Sequence, residues 1–255
     1  MNLTIRQAAD ACGGKLCQAE GKENIQLQGA VLDSRKVEAG YLFFATRGER
    51  VDGHTFIPKA VELGAACVVC EKELNNVDAG SGELAYILVE DSFQALKDIA
   101  EFYRQTLDVT VIGIAGSVGK TSTKEFIAGV LSEKFKVLKT EGNFNNEVGL
   151  PLTILRIKEE HEVAVLEMGI SEFGEMHRLS KMARPDICVM TNIGQCHLEN
   201  LKSKEGILKA KSEIFDFMSE FGYVVLNATM ICWQQLIQYM ACVLFALAYA
   251  RNRQA

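Results

Sequence analysis

From Val109 onward, short and nearly continuous apolar runs alternate with amphipathic segments. The runs are "VTVIGIA", "VAVLEMG", "DICVMTNI" and "YVVLN". Strands buried on both faces of a parallel sheet have this composition. With helical patterns between them, they predict a doubly wound α/β arrangement. The preceding stretch has a looser rhythm. "YLFFAT", "ACVVCE" and "AYILVE" predict strands, and "SFQALKDIAEFYRQ" predicts a helix with Ser92 as its N-cap. "NNVDAGSG" predicts a surface loop. The change of rhythm sets a boundary near Asp108. A mixed α/β domain is expected over 1–108, and a P-loop-type parallel α/β central domain over 109–227.

Residues 228–255 break the pattern. They contain no Gly, Pro, Asp, Glu or Lys, and they hold the chain's single Trp. Ile231 to Ala250 is apolar-rich and about long enough to cross a bilayer. Three glutamines lie inside it, however, and no basic flank precedes it.

Composition narrows the classes. The chain has 255 residues, 48% of them hydrophobic and 24% charged, as in globular proteins. A net charge of -6 argues against a nucleic-acid binder. Arg6 and Asp10 interrupt the N-terminus, so no signal peptide is expected there. The eight scattered cysteines then read as reduced thiols in a cytoplasmic protein. Cys67 and Cys70 form a C-x-x-C, but no second pair stands at zinc spacing.

"GIAGSVGKTSTKEF" spans Gly113 to Phe126, between a predicted strand and a predicted helix. Small residues followed by Gly-Lys-Thr at a helix start form a phosphate cradle. Backbone N–H groups and the helix dipole face the anion, and glycines allow close approach. Lys120 would neutralise β/γ oxygens and Thr121 would ligate Mg²⁺. The strict G-x-x-x-x-G-K-S/T pattern fails, because Ile114 stands at the first glycine position. The bland alternative is a glycine-rich turn with a solvated lysine.

Phosphate binding alone names no reaction. "EGNFNNEVGLP" places Asn143, Asn145 and Asn146 in a polar loop entering a helix. Their amides either bind an anion or serve as turn chemistry. Glu167 ends a buried strand, where open α/β sheets bind ligands, and a carboxylate there suits Mg²⁺. Otherwise it is a capping or surface residue. "TNIGQCHLENL" offers Asn192 and His197 after another strand. His197 is a metal or phosphate ligand or a structural histidine. "KAKSEIF" places Lys209, Lys211 and Glu213 on a helix, where lysines usually face solvent.

Together these stretches resemble the Mur ligases, ATP-dependent peptide ligases of cell-wall precursor synthesis. The carriers are "GIAGSVGKTSTK", "GNFNNEVGLPLT", "LEMGISEFGEM", "TNIGQCHLE" and "KSEIF", in the family's order and spacing, over residues 1 to about 227. The N-terminal part rests on "DSRKVEAGYLFFATRGERVDGHTFI". The asparagine-rich and "EMGISEFGEM" forms favour the member that joins D-Ala-D-Ala to a UDP-N-acetylmuramoyl-tripeptide.

The resemblance implies roles. Gly116, Ser117, Gly119, Lys120, Thr121 and Ser122 match the ATP loop, with Asn145, Asn146 and Asn192 beside it. Thr121, Glu167 and His197 match magnesium positions. Lys211 matches a lysine that several relatives carbamylate to hold a second Mg²⁺. Lys120, Glu167, His197 and Lys211 are the implied catalytic set. Asp33, Ser34, Arg35, Arg47, Asp52 and His54 fall where the family's first domain receives the UDP-sugar peptide. The implied chemistry turns the substrate carboxylate into an acyl phosphate, which the D-Ala-D-Ala amine then displaces. A monomer without stable membrane association is expected.

The family's third, closing domain is not recognisable in this chain, so little ligation is expected of it. The codons available for 228 onward are compatible with a one-base shift that restores acidic and glycine residues. The tail is therefore expected to be out of frame. Alternatives are a binding-only fragment, another Mur-type ligase or a generic P-loop phosphotransferase.

Overall fold

The computed structural model describes residues 1–49, 51–74 and 84–227. The predicted loop at 75–82 and the tail at 228–255 lie outside the described residues. The chain forms two compact units. One comprises Met1–Leu107 with Ile154–Glu159, the other Asp108–Thr153 and the residues from Glu160 on.

The first unit runs β1 (Leu3–Thr4), α1 (Ile5–Cys12), β2 (Lys15–Cys17), β3 (Gln26–Leu27), β4 (Gly29–Val31), β5 (Tyr41–Phe44), α2 (Ile57–Glu62), β6 (Cys67–Cys70), β7 (Ala85–Leu88) and α3 (Ser92–Gln105). Its main sheet has the order β2-β7-β6-β5-β4. Every pair is parallel except β2 with β7. Phe43, Val68, Ala45 and Cys70 fill one side of this sheet against Ile57 and Ala60 of α2.

The expected N-cap of α3 is corrected. Asp91 is the cap, its carboxylate accepting from the N–H groups of Phe93 at 2.8 Å and Gln94 at 2.9 Å. An ionised carboxylate serves the helix dipole better than a hydroxyl does. Ser92 is the first helical residue, and its buried hydroxyl donates to the Ala45 carbonyl at 3.1 Å. At the far end of α3, Tyr103 donates its phenol to the Ile157 carbonyl at 2.6 Å. That bond ties the returning Ile154–Glu159 segment into the unit.

Cys67 and Cys70 are fully buried in β6. Burial pushes both thiols up, Cys70 to about 12. No group of three or more His, Cys, Asp or Glu placed to share a metal ion occurs among the described residues.

The second unit runs β8 (Thr110–Ala115), α4 (Lys120–Leu131), β9 (Val137–Lys139), α5 (Gly149–Ile154), β10 (Val163–Glu167), α6 (Glu175–Ala183), β11 (Ile187–Met190), α7 (Leu198–Leu201), α8 (Lys204–Ser212) and β12 (Tyr223–Leu226). The four apolar runs are β8, β10, β11 and β12. Strand order is β12-β11-β8-β10-β9, and every pair is parallel. Register opposes Glu167 to Ile114 and Met190 to Ala115. The loops after β8, β10 and β11 therefore leave from one edge of the sheet. The connection after β8 runs to one side of it, to β9, and the connection after β10 runs to the other, to β11, which makes that edge the place where such sheets bind ligands. No helix among the described residues is long and apolar enough to cross a membrane.

Candidate active site

The loop between β8 and α4 is shaped by its glycines. Gly116 has φ +143°, and a Cβ there would lie 2.0 Å from Thr191 Oγ1. Gly119 has φ +82° and forms the N-cap of α4. L side chains avoid both conformations. The loop is strapped to the segment after β11. Ser117 N–H donates to the Asn192 carbonyl at 3.0 Å, and Val118 N–H to Asn192 Oδ1 at 3.0 Å. Thr191 Oγ1 donates to the Val118 carbonyl at 2.7 Å. Lys120 folds back, its Nζ donating to the Gly116 carbonyl at 3.0 Å. The first amides of α4 lack intrahelical acceptors.

Glu167 ends β10 and is 3% exposed. Thr121 Oγ1 donates to its Oε2 at 3.0 Å. Asn145 Nδ2 donates to its Oε1 at 2.9 Å. Its backbone N–H donates to Thr140 Oγ1 at 3.0 Å. Lys124 Nζ stands 3.8 Å from Oε2. Asn145 is held by its own backbone, whose carbonyl accepts from Gly169 N–H at 2.7 Å. A Cβ at Gly169 would meet the Asn145 amide at 3.1 Å.

The other nominated residues of this unit take different parts. Asn146 Oδ1 accepts from Gly149 N–H at 2.9 Å and Val148 N–H at 3.2 Å, so it starts α5. Lys211 corrects the expectation of a solvated face. It is 1% exposed, and burial lowers its ammonium to about 8, with the Lys120 charge acting in the same direction. Lys209 remains exposed, and Glu213 opens a 3-10 turn after α8. His197 is exposed, with φ 51°, at the N-cap position of α7 and without a side-chain cap bond. The structure does not join its ring to the Glu167 cluster.

In the first unit, Asp33 accepts from Arg35 Nε at 2.9 Å and Nη2 at 2.8 Å. Arg35 holds the Asp33 carboxyl below the usual range. Ser34 is buried between them in sequence, and Arg47 is exposed. Arg47 and Asp52 form an isolated antiparallel bridge. His54 is 3% exposed, with Nδ1 2.6 Å from Asp52 Oδ1. Its Nε2 accepts from Glu71 N–H at 2.9 Å. That acceptor role places the ring proton on Nδ1.

Lys124, Thr140 and Thr191 were not nominated from sequence. Lys124 had a signal, since it lies three residues after Thr121 and four after Lys120 on one helix. Thr140 and Thr191 had none, since hydroxyls just past a strand are common.

Comparisons place this geometry among known proteins. The Mur ligase middle domain matches residues 114–254, and the Mur ligase family catalytic domain matches residues 26–104. The UDP-N-acetylmuramoyl-tripeptide–D-alanyl-D-alanine ligase of Bacillus subtilis is 43% identical over 222 residues, covering 87% of this chain and 48% of that protein. A crystal structure of MurF from Acinetobacter baumannii superposes with a TM-score of 0.84 at 30% identity, over 95% of this chain and 52% of that one. MurF from Thermotoga maritima, in complex with ADP, gives 0.72 at 36% identity, over 84% of this chain and 48% of that one. The chain thus spans about half the length of the relatives it matches. With the middle-domain match alone covering more than half of its residues, the chain belongs to the Mur ligase family.

Proposed function

We propose that this chain carries the UDP-sugar-peptide-binding and ATP-binding parts of a ligase that joins D-Ala-D-Ala to UDP-N-acetylmuramoyl-tripeptide in the cytoplasm. The observation that carries the nucleotide reading is the bonded set Thr121–Glu167–Asn145 at the strand ends, beside the Gly116–Gly119 loop. Thr121 Oγ1 and Glu167 Oε2 are 3.0 Å apart. Adjacent ligands of an octahedral Mg²⁺ with bonds of about 2.1 Å stand about 3.0 Å apart. Both donors, Thr121 Oγ1 and Glu167 Oε2, are oxygens, as Mg²⁺ prefers, so these two residues fit the ion.

Thr121 and Glu167 would hold the metal, with His197 and a carbamylated Lys211 as further candidates. The metal would offset charge developing at the γ-phosphate. The loop amides of Gly116 and Gly119, with Lys120 and Ser122, bind the phosphates, while the Ser117 amide stays on the Asn192 carbonyl and holds the loop. Asn192 fixes the loop through the Val118 N–H. Asn145 aims Glu167, and Asn146 sets the start of α5. Lys211, lowered to about 8 by burial, presents far more neutral amine than an ordinary lysine does, roughly a tenth of it at pH 7 and half at pH 8, and the neutral amine is the form that takes up CO₂.

In the first unit, Arg35 and Arg47 are exposed cations that can meet the substrate's diphosphate. Asp33 and Ser34 set the turn that carries Arg35, and Asp52, which caps the turn holding His54, is bridged to Arg47.

Calorimetry with ATP and MgCl₂, and separately with UDP-muramoyl-tripeptide, tests the reading. Binding of both is expected, with little phosphate release on adding D-Ala-D-Ala to the 255-residue chain. Failure to bind either ligand would refute it. Rapid turnover would refute the binding-only status of this chain.

A further inference from the structure

Helix α4 carries a lysine that the phosphate loop does not use. Lys124 lies one turn beyond Lys120 and Thr121, and its side chain is 2% exposed. Its ammonium is 3.2 Å from Glu125 Oε1 and 3.8 Å from Glu167 Oε2. Glu125 is half exposed and also pairs with Lys139. Glu167 is as buried as Lys124 itself. An ammonium withdrawn from water needs compensating charge, and so does a withdrawn carboxylate.

We propose that Lys124 is a positioning residue: a built-in cation that compensates Glu167 and keeps it aimed at Thr121 while no metal-bound nucleotide is present. The proposal rests on the reading that Glu167 and Thr121 face a divalent cation. The carboxylate's other side-chain partners, Thr121 and Asn145, are neutral and cannot offset a full charge. Lys124 can. It does so from a longer distance than the 3.0 Å and 2.9 Å bonds of those two donors, so it balances charge without replacing them. When a divalent cation enters, its field repels the ammonium. Glu125 already holds that ammonium at the shorter distance, so it can retreat without turning Glu167.

The test is a double-mutant cycle on the full chain in EDTA, followed by MgCl₂ with ATP. K124M removes the charge at similar length. It is expected to lower Tm by roughly 5–10 °C, because it strands a buried carboxylate. The K124M/E167Q double variant is expected to regain at least half of that loss, since removing both charges together leaves neither stranded. K124R is expected to stay near the parent. In MgCl₂ with ATP, K124M is expected to gain more Tm than the parent does, because its site lacks a cation of its own. A purely structural lysine would not produce that difference.

Additivity of K124M and E167Q within about 2 °C would overturn the proposal. Recovery by E125Q instead of E167Q would also overturn it. If K124M fails to fold and K124M/E167Q folds, the same coupling is established. If both fail alike, the proposal is lost. The EDTA arm contains no metal or nucleotide. A parent chain that ignores MgCl₂ and ATP therefore refutes the nucleotide reading and leaves the cycle's answer about the pair intact.

Discussion

The Asp52–His54 pair of the first unit and the Glu167 cluster of the second are built from the same parts: a carboxylate, a nitrogen group and backbone amides. They differ in what remains free. His54 has one nitrogen on Asp52 and the other on the Glu71 N–H, so the buried ring has nothing left to offer a ligand. Glu167 is just as buried, but two of its partners have somewhere else to go. Thr121 sits at an exposed helix start, and Lys124 has Glu125 in reach. Residue type nominates both clusters equally. Uncommitted bonding capacity separates a structural clasp from a site.

The sharpest way to break this comparison is His54→Ala. It leaves a half-exposed carboxylate and the Glu71 N–H without their shared partner. The expected loss is roughly 2–4 kcal/mol of folding stability, read by chemical denaturation. Calorimetry on the folded variant is expected to give an unchanged affinity for UDP-muramoyl-tripeptide. A large loss of affinity at unchanged stability would move His54 from clasp to ligand contact.

Lys120→Ala is the converse case. Among the described residues its ammonium bonds a loop carbonyl, so stability is expected to stay nearly constant. ATP affinity is expected to fall roughly 10–100-fold, the value of one charge-assisted bond. An unaltered affinity would mean that this loop does not hold the phosphates.

Lys211 gives a pH dependence with a definite sign. Burial lowers its folded-state ammonium to about 8, against an ordinary 10.5. Between those values the unfolded chain binds more protons than the folded one, so this residue's contribution to stability rises with pH. Below about 8 the lysine is charged in both states and its burial penalty is fully present. Lys211→Met is therefore expected to be more stable than the parent at pH 7. The two are expected to converge as pH approaches 10.5. A gap that does not narrow would show that Lys211 is compensated in the folded protein.

Much of the architecture was legible because it rests on composition. Four apolar runs became four strands of a parallel sheet, since only strands covered on both faces lack polar alternation. The phosphate loop was legible because its glycines take backbone conformations that other residues avoid. What stayed hidden depends on distant partners. No local pattern announces that 154–159 returns to the first unit, because a Tyr103–Ile157 bond joins residues far apart in sequence. Lys211 reads as a surface lysine until α8 is packed. Ser92 and Asp91 compete for one cap, and the tie is broken by Ala45, whose carbonyl takes the Ser92 hydroxyl.

Arg35 closes the series with the smallest expected change in stability. It forks onto Asp33 with good geometry and pulls that carboxyl below its usual range. The geometry suggests a strong bond, yet the Arg35 side chain is 86% exposed. Solvent screens such a pair, and holding the long side chain in place costs entropy, so exposed forks contribute little. The linkage has the usual carboxylate sign. Any contribution is present above the ordinary Asp range and lost as pH falls through the depressed value. Arg35→Ala is therefore expected to leave the denaturation midpoint unchanged at pH 7. Its affinity for UDP-muramoyl-tripeptide is expected to fall, because a guanidinium that Asp33 orients yet leaves open to solvent can fork onto a diphosphate. An unchanged affinity would remove Arg35 from the substrate site. The exposed Arg47, the other arginine that the resemblance implies, would then be the next to test for that role.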